Sequence, residues 1–191
     1  MGIRVVPGKV DVLEGTIMNG TNIARDKGGC IYSRGGSNFN ISGGTFTGCH
    51  SEGNGGFNFA SAGSVVVMYN GTVDSCLAER RAGAMYASGS SDGQGASVTV
   101  RGGTFLNNTA LEHGGGFVAW GATTTIVFAG GRISNSTARF FGGFLFLEEE
   151  ASANCTDTLI EGSFAGSQGG GLYVRVATSI YWACDLVAND S

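Results

Sequence analysis

Short runs of alternating apolar and polar residues recur along the chain. Val10-Asp11-Val12, Phe39-Asn40-Ile41, Val66-Val67-Met68, Val98-Thr99-Val100, Ile126-Val127-Phe128 and Asp157-Thr158-Leu159 carry apolar side chains at both outer positions in all but one run. A period of two predicts strands with one buried face. Each run precedes a glycine by five residues, and a second motif starts there: GTI, GTF, GTV, GTF, GRI or GSF, at Gly15, Gly44, Gly71, Gly103, Gly131 and Gly162. Its third residue supplies a second apolar row, Ile17, Phe46, Val73, Phe105, Ile133 and Phe164. A third group follows a glycine step: Cys30-Ile31-Tyr32, Phe57-Asn58-Phe59, Ala84-Met85-Tyr86, Phe117-Val118-Ala119, Phe144-Leu145-Phe146 and Leu172-Tyr173-Val174. No window of ten or more residues holds a glycine-free helical apolar stripe, so almost no helix is predicted.

The starts of the six copies lie 29, 27, 32, 28 and 31 residues apart, a spacing that marks a solenoid. One coil cannot bury its apolar face alone, but stacked coils can. Like residues would then form ladders at roughly 4.8 Å spacing, in a rod on the order of 30 Å long. The predicted fold is all-β: a right-handed parallel β-helix of about six coils of 27–32 residues. Residues 1–14 are read as an N-terminal edge strand, 15–179 as the coils, and 180–191 as a C-terminal strand that extends the solenoid. Glycine pairs before each third strand (Gly28-Gly29, Gly55-Gly56, Gly115-Gly116, Gly142-Gly143 and Gly170-Gly171, with Gly83 alone in the third copy) suit corners of positive φ.

Composition narrows the function. With 35 glycines and one proline the chain resembles ordered strands joined by tight corners more than a flexible linker. A net charge of −4 and only two lysines argue against a nucleic-acid surface. No apolar run is long enough to span a bilayer, and MGIRVVPGKV lacks the apolar core of a signal peptide. Seven N-x-[ST] sequons, at Asn19, Asn40, Asn70, Asn107, Asn135, Asn154 and Asn189, favour an extracellular or cell-surface setting. Asn19, Asn107 and Asn135 share one repeat position and are the candidate glycosylation sites. Glu148-Glu149-Glu150 is read as a solvated loop.

The segment Phe105-Leu106-Asn107-Asn108 followed by Gly114-Gly115-Gly116-Phe117 resembles the repeats of the chlamydial polymorphic outer membrane proteins, with their F-x-x-N and G-G-A-[ILV] tetrapeptides. F-x-x-N is strict only at Phe105 to Asn108, and the glycine step is followed by Phe, Leu or Cys where that family prefers Ala. The resemblance covers residues 15 to about 175. It implies a surface-displayed β-helix with an adhesive or structural role, and it carries no catalytic residues.

Other chemistry is sparse. Cys49 and Cys76 occupy one repeat position in consecutive copies and are the first candidate disulfide. Cys155 and Cys184, 29 residues apart, are the second, leaving Cys30 over. His50 and His113 lie two coils apart, so no metal site and no cofactor are expected. Gly89-Ser90-Ser91-Asp92-Gly93 matches G-x-S-x-G but has no following helix to make a nucleophile elbow. Thr16, Thr45, Thr72, Thr104, Arg132 and Ser163 form an outward row, an ice-binding surface as a third-ranked reading. The second-ranked reading is a carbohydrate-active β-helix, lyase- or hydrolase-like or glycan-binding. It lacks clustered outward carboxylates. The third strand is apolar at almost every position, so one phase of it must face outward. Ile31, Met85, Val118, Leu145 and Tyr173 are the candidate interface. The expected function is a non-catalytic structural or adhesive module. Its partner would be a protein or a second copy, with a glycan as a further candidate and no nucleic acid.

Overall fold

The computed structural model describes residues 3–5, 8–24, 26–90, 92–176 and 179–187, with backbone alone for 5 and 19–24. The described residues contain no helix, hence none long and apolar enough to cross a membrane. The chain is a parallel β-helix of about six turns, and every strand pairing is parallel. One wall stacks Ile3–Val5, Ile31–Ser33, Asn58–Ser61, Met85–Ser88, Phe117–Trp120, Leu145–Glu148 and Leu172–Arg175. A second runs from Lys9–Val12 through Val65–Met68 to the first half of Ser152–Glu161, and the third from Ile17–Ala24 through Thr104–Leu106 to its second half. Both ends of the described chain are further rungs: Ile3–Val5 pairs with Ile31–Ser33, and Ser179–Val187 with Ser152–Glu161.

The interior follows from alternation. Phe39, Phe46, Phe57, Phe105, Phe117, Phe128 and Phe144 are all fully buried. Their rings meet at 4.6 Å (Phe46 to Phe57), 5.0 Å (Phe105 to Phe117) and 4.9 Å (Phe117 to Phe128). Each such ring contributes about 1.5–3 kcal/mol by burial alone.

The repeat phase departs from expectation in the first and last copies. Ile17 pairs with Thr45, so Met18 takes the inward position beside Phe46 and Ile17 is 67% exposed. In the sixth copy Ile160, not Phe164, lies under Ile133, and Phe164 is 46% exposed. Thr158 occupies the place of the leading glycine: its Oγ1 accepts from the Gly130 N–H at 3.0 Å. The second-wall triplet of that copy is Ala153-Asn154-Cys155, not Asp157-Thr158-Leu159, because Ala153 and Cys155 stack on Ile126 and Phe128. Asp157 sits in the left-handed region at φ 52°, where the long strand turns from one wall into the next.

Two glycines at each corner do different jobs. Gly55 has φ +72°, and a Cβ there would lie 2.3 Å from the Asn58 carbonyl oxygen. Gly56 meets the next coil: its Cβ would lie 2.2 Å from the Gly83 carbonyl oxygen. The first residue turns the chain and the second lets neighbouring coils touch. In the fourth copy the corner is Gly114-Gly115, and in the sixth Gly169-Gly170. Gly116 and Gly171 already occupy the strand position held by Cys30, Phe57 and Ala84.

Asn108, the asparagine of the F-x-x-N match, is fully buried. It binds the preceding coil twice, accepting from the Cys76 N–H at 3.0 Å and donating to the Val73 carbonyl at 3.2 Å. Asn107 is instead an exposed turn residue at φ 53°.

The expected Cys49–Cys76 bond is not formed. Cys49 bonds Cys30 at a Cα separation of 5.4 Å, Cys155 bonds Cys184 at 5.6 Å, and Cys76 is a buried free thiol. Equivalent residues of stacked parallel coils project in the same direction about 4.8 Å apart, whereas a disulfide needs converging Cβ atoms about 3.8 Å apart. Cys30 faces Cys49 across the corner and meets that need. Cys184 faces Cys155 where the register of Ser179–Val187 slips between Thr156 and Leu159.

Two outcomes follow. Gly56→Ala forces backbone against backbone and should cost on the order of 2–4 kcal/mol, read as a lowered urea midpoint; an unchanged midpoint would remove the coil-contact account. Unreduced protein should expose no reactive thiol when native and one, Cys76, when denatured, by thiol-reagent titration. Burial pushes that thiol up to about 12, which keeps it protonated and inert.

Candidate functional site

The first wall is the one with an apolar outer face. Its outward row is Tyr32, Phe59, Tyr86, Val118, Phe146 and Tyr173. Ile31, Met85 and Leu145, expected at an interface, point inward and are completely buried in the main core. Val118 and Tyr173 do belong to the outward row, because the third glycine of copies four and six shifts the count by one. The stripe is a second small apolar cluster, with Phe59, Tyr86, Val118 and Phe146 each at most 5% exposed.

The residues just before each glycine corner cover it. Lys27, Asn54, Arg81, His113, Phe141 and Gln168 form a column of isolated parallel bridges and corner hydrogen bonds running alongside the stripe. Lys27 Nζ lies 5.1 Å from the Phe59 ring centre, and Phe59 stacks on Tyr86 at 5.0 Å. His113 lies between Phe141 at 5.1 Å and Phe146 at 4.9 Å, its Nδ1 buried and without a hydrogen-bond partner. Burial, then the nearby Arg81 charge, holds the imidazole below its ordinary value.

Two residues further along the same strands, Ser88, Trp120, Glu148 and Arg175 stack as a second outward column. Glu148 is 3% exposed, which corrects its reading as part of a solvated loop; Glu149 and Glu150 are exposed at φ 52° and 65°. Arg81 Nη1 donates to Glu148 at 3.1 Å from two coils away, and Arg175 pairs with the other carboxylate oxygen. Removing Arg81, the less exposed partner, would leave the buried Glu148 carboxylate only the half-exposed Arg175. Arg80 and Arg81 both approach Glu112, at 3.6 and 3.7 Å. Arg80, Arg81, Glu148 and Arg175, with Lys27 and Asn54, wall a cleft of about 430 Å³ that Phe59 and Tyr86 also line. A second hollow of about 270 Å³ between Gly89–Gly93 and Gly121-Ala122 shares Trp120 and Glu149 with it.

The alternation alone would have placed Glu148 outward, three residues after inward Leu145. Its arginine partners lie 67 and 27 residues away in sequence, and only the stacking register connects them.

Elsewhere the expected residues are dispersed. Thr45, Thr72 and Thr104 stack, but Ile17 and Arg132 flank them, and Thr16 and Ser163 are not in that row. Asn107 and Asn135 are exposed and linked: Asn107 Nδ2 donates to Asp74 at 3.0 Å and Asn135 Nδ2 to Asn107 Oδ1 at 3.3 Å. The side chain of Asn19, together with Asn189 and the Ser91 of G-x-S-x-G, lies outside the described residues. His50 contacts Glu79 at 3.2 Å and is not among the residues that line the cleft.

Comparison of the chain with protein-family models, curated proteins and solved structures gives no match.

His113 predicts a pH response. Folding favours its neutral ring, so its stabilising contribution is whole above the free-imidazole value of about 6.5 and is lost as pH falls below it. The drop in Tm between about pH 7.5 and pH 5.5 should be smaller in His113→Phe, which keeps the aromatic stack and cannot protonate. An equal drop in both proteins would show that His113 does not contribute.

Proposed function

We propose that the chain is a non-catalytic structural or adhesive β-helix module that engages its partner through the first-wall flank. One observation carries this reading. The outward side chains of the other walls are mostly small or polar, such as Asn40, Thr99, Thr45 and Thr104, whereas the first wall carries the half-buried Tyr32, Trp120 and Tyr173 over a buried apolar stripe, beside a cleft of converging charges. Interfaces are enriched in aromatic side chains and arginine. Two disulfides support placement in an oxidising, extracellular or surface setting. The likeness of Phe105 to Phe117 to polymorphic outer membrane protein repeats supports the same setting and role.

Glu148, the buried carboxylate of the cleft, is held by two arginines in ion pairs rather than left free for acid–base work. That favours binding over turnover.

The test compares wild type with a flank variant, Arg80→Glu with Trp120→Ala, and an opposite-wall variant, Thr99→Glu. Self-association by sedimentation and adhesion of protein-coated beads to cell and matrix surfaces are measured. The flank variant should lose at least ten-fold and the opposite-wall variant should match wild type. Equal binding by both variants, no binding by wild type, or release of new reducing ends from polysaccharides would overturn the reading.

A further inference from the structure

Four of the chain's eleven basic residues, Lys27, Arg80, Arg81 and Arg175, line the one cleft, although the chain as a whole carries −4. The lining itself holds only two carboxylates, Glu148 and Glu149. Glu148 is shared by Arg81 and Arg175, while Arg80 and Lys27 meet Glu112 and Asp26, outside the lining, in exposed ion pairs at 3.6 and 3.8 Å, longer than hydrogen bonds. The Arg80 and Arg175 side chains remain 57% and 56% exposed. Guanidinium groups present planar paired donors that match carboxylate and sulfate oxygens. The surface is therefore built to receive an anion.

Its shape says what kind. The two hollows, about 430 and 270 Å³, meet at Trp120, which is half-buried on the ridge between them. A ligand occupying both is elongated and crosses an indole face. Apart from its aromatic rings the lining is hydrophilic, with guanidinium, ammonium, carboxylate and the Ser88 hydroxyl. A peptide would seek either a free strand edge or apolar side-chain pockets. The strands under this cleft, Met85–Ser88, Phe117–Trp120 and Leu145–Glu148, are each paired on both sides, so no edge is offered.

Resting on the flank-binding reading, we propose that this cleft binds an acidic oligosaccharide, its anionic groups on Arg80 and Arg175 and a pyranose ring on Trp120. Arg81 is the positioning residue: by holding Glu148 it sets Arg175 in place from two coils away.

The test uses the whole chain in isothermal titration against four probes of similar length: hexagalacturonate, a sulfated hexasaccharide, neutral cellohexaose and hexaglutamate. One or both anionic sugars should bind at least ten-fold tighter than cellohexaose and hexaglutamate, and which of the two binds tells carboxylate from sulfate. Arg80→Ala should weaken that binding at least ten-fold and Trp120→Ala likewise, Trp120→Phe should lose less than Trp120→Ala, and Arg101→Ala, outside the cleft lining, should match wild type. The Arg80 side chain is mostly exposed, so an unchanged Tm separates lost binding from lost folding. Equal binding of cellohexaose or hexaglutamate, indifference to Arg80→Ala, or no binding of either anionic sugar overturns the proposal. In those cases the flank variant's effect on self-association and surface adhesion still decides the broader reading separately.

Discussion

The structure depends on one constraint: coils must stack in register, because each strand satisfies its backbone through the coils above and below it. Every position around the coil then becomes a column, and a column must be chemically self-consistent along its length. Phenylalanine can stack on valine or methionine inside, whereas at the corner only a residue without a Cβ permits the Gly56 to Gly83 approach. Asn108 is a local solution to the same constraint. It closes backbone groups that the turn at Ser75, in the preceding coil, would otherwise leave unpaired in the interior.

Columns also explain how the surface was made. The outward row of the first wall is aromatic where the other walls are polar, and it is roofed by the residues that lead into the glycine corners. Roof and row are separated by a handful of residues in sequence yet belong to different faces of one bend. Where the roof changes from His113 and Phe141 to Arg81, Asn54 and Lys27, it opens into the charged cleft.

Much of this was legible beforehand, for a physical reason. Period-two alternation and recurring glycines report burial and backbone conformation directly, so walls and coil number followed from them. Phase was lost where a marker residue was substituted or repeated. Thr158 does a glycine's work through its hydroxyl, Gly15 stands one residue early, and the third glycine at Gly116 and Gly171 replaces a side chain. These slips sent Ile17, Phe164 and Leu159 to the wrong faces and split the expected interface set between core and surface. The Glu148 cluster was not legible at all, since its members share no motif and meet only through register. The cysteines failed differently: Cys49 and Cys76 are column neighbours, as expected, but column neighbours point the same way.

The disulfides have a mechanical consequence. A stacked rod has interior coils held from two sides and terminal coils held from one, so unravelling proceeds inward from the ends. Cys30–Cys49 ties the first repeat to the second, and Cys155–Cys184 ties the sixth to the strand stacked beyond it. Between them the Arg81 to Glu148 link passes over a whole coil. A pull on the N-terminal end therefore meets a covalent bond before it reaches Arg80 and Arg81, a pull on the C-terminal end meets one before it reaches Arg175, and the charged flank between them keeps its geometry under tension that would peel an unclamped stack.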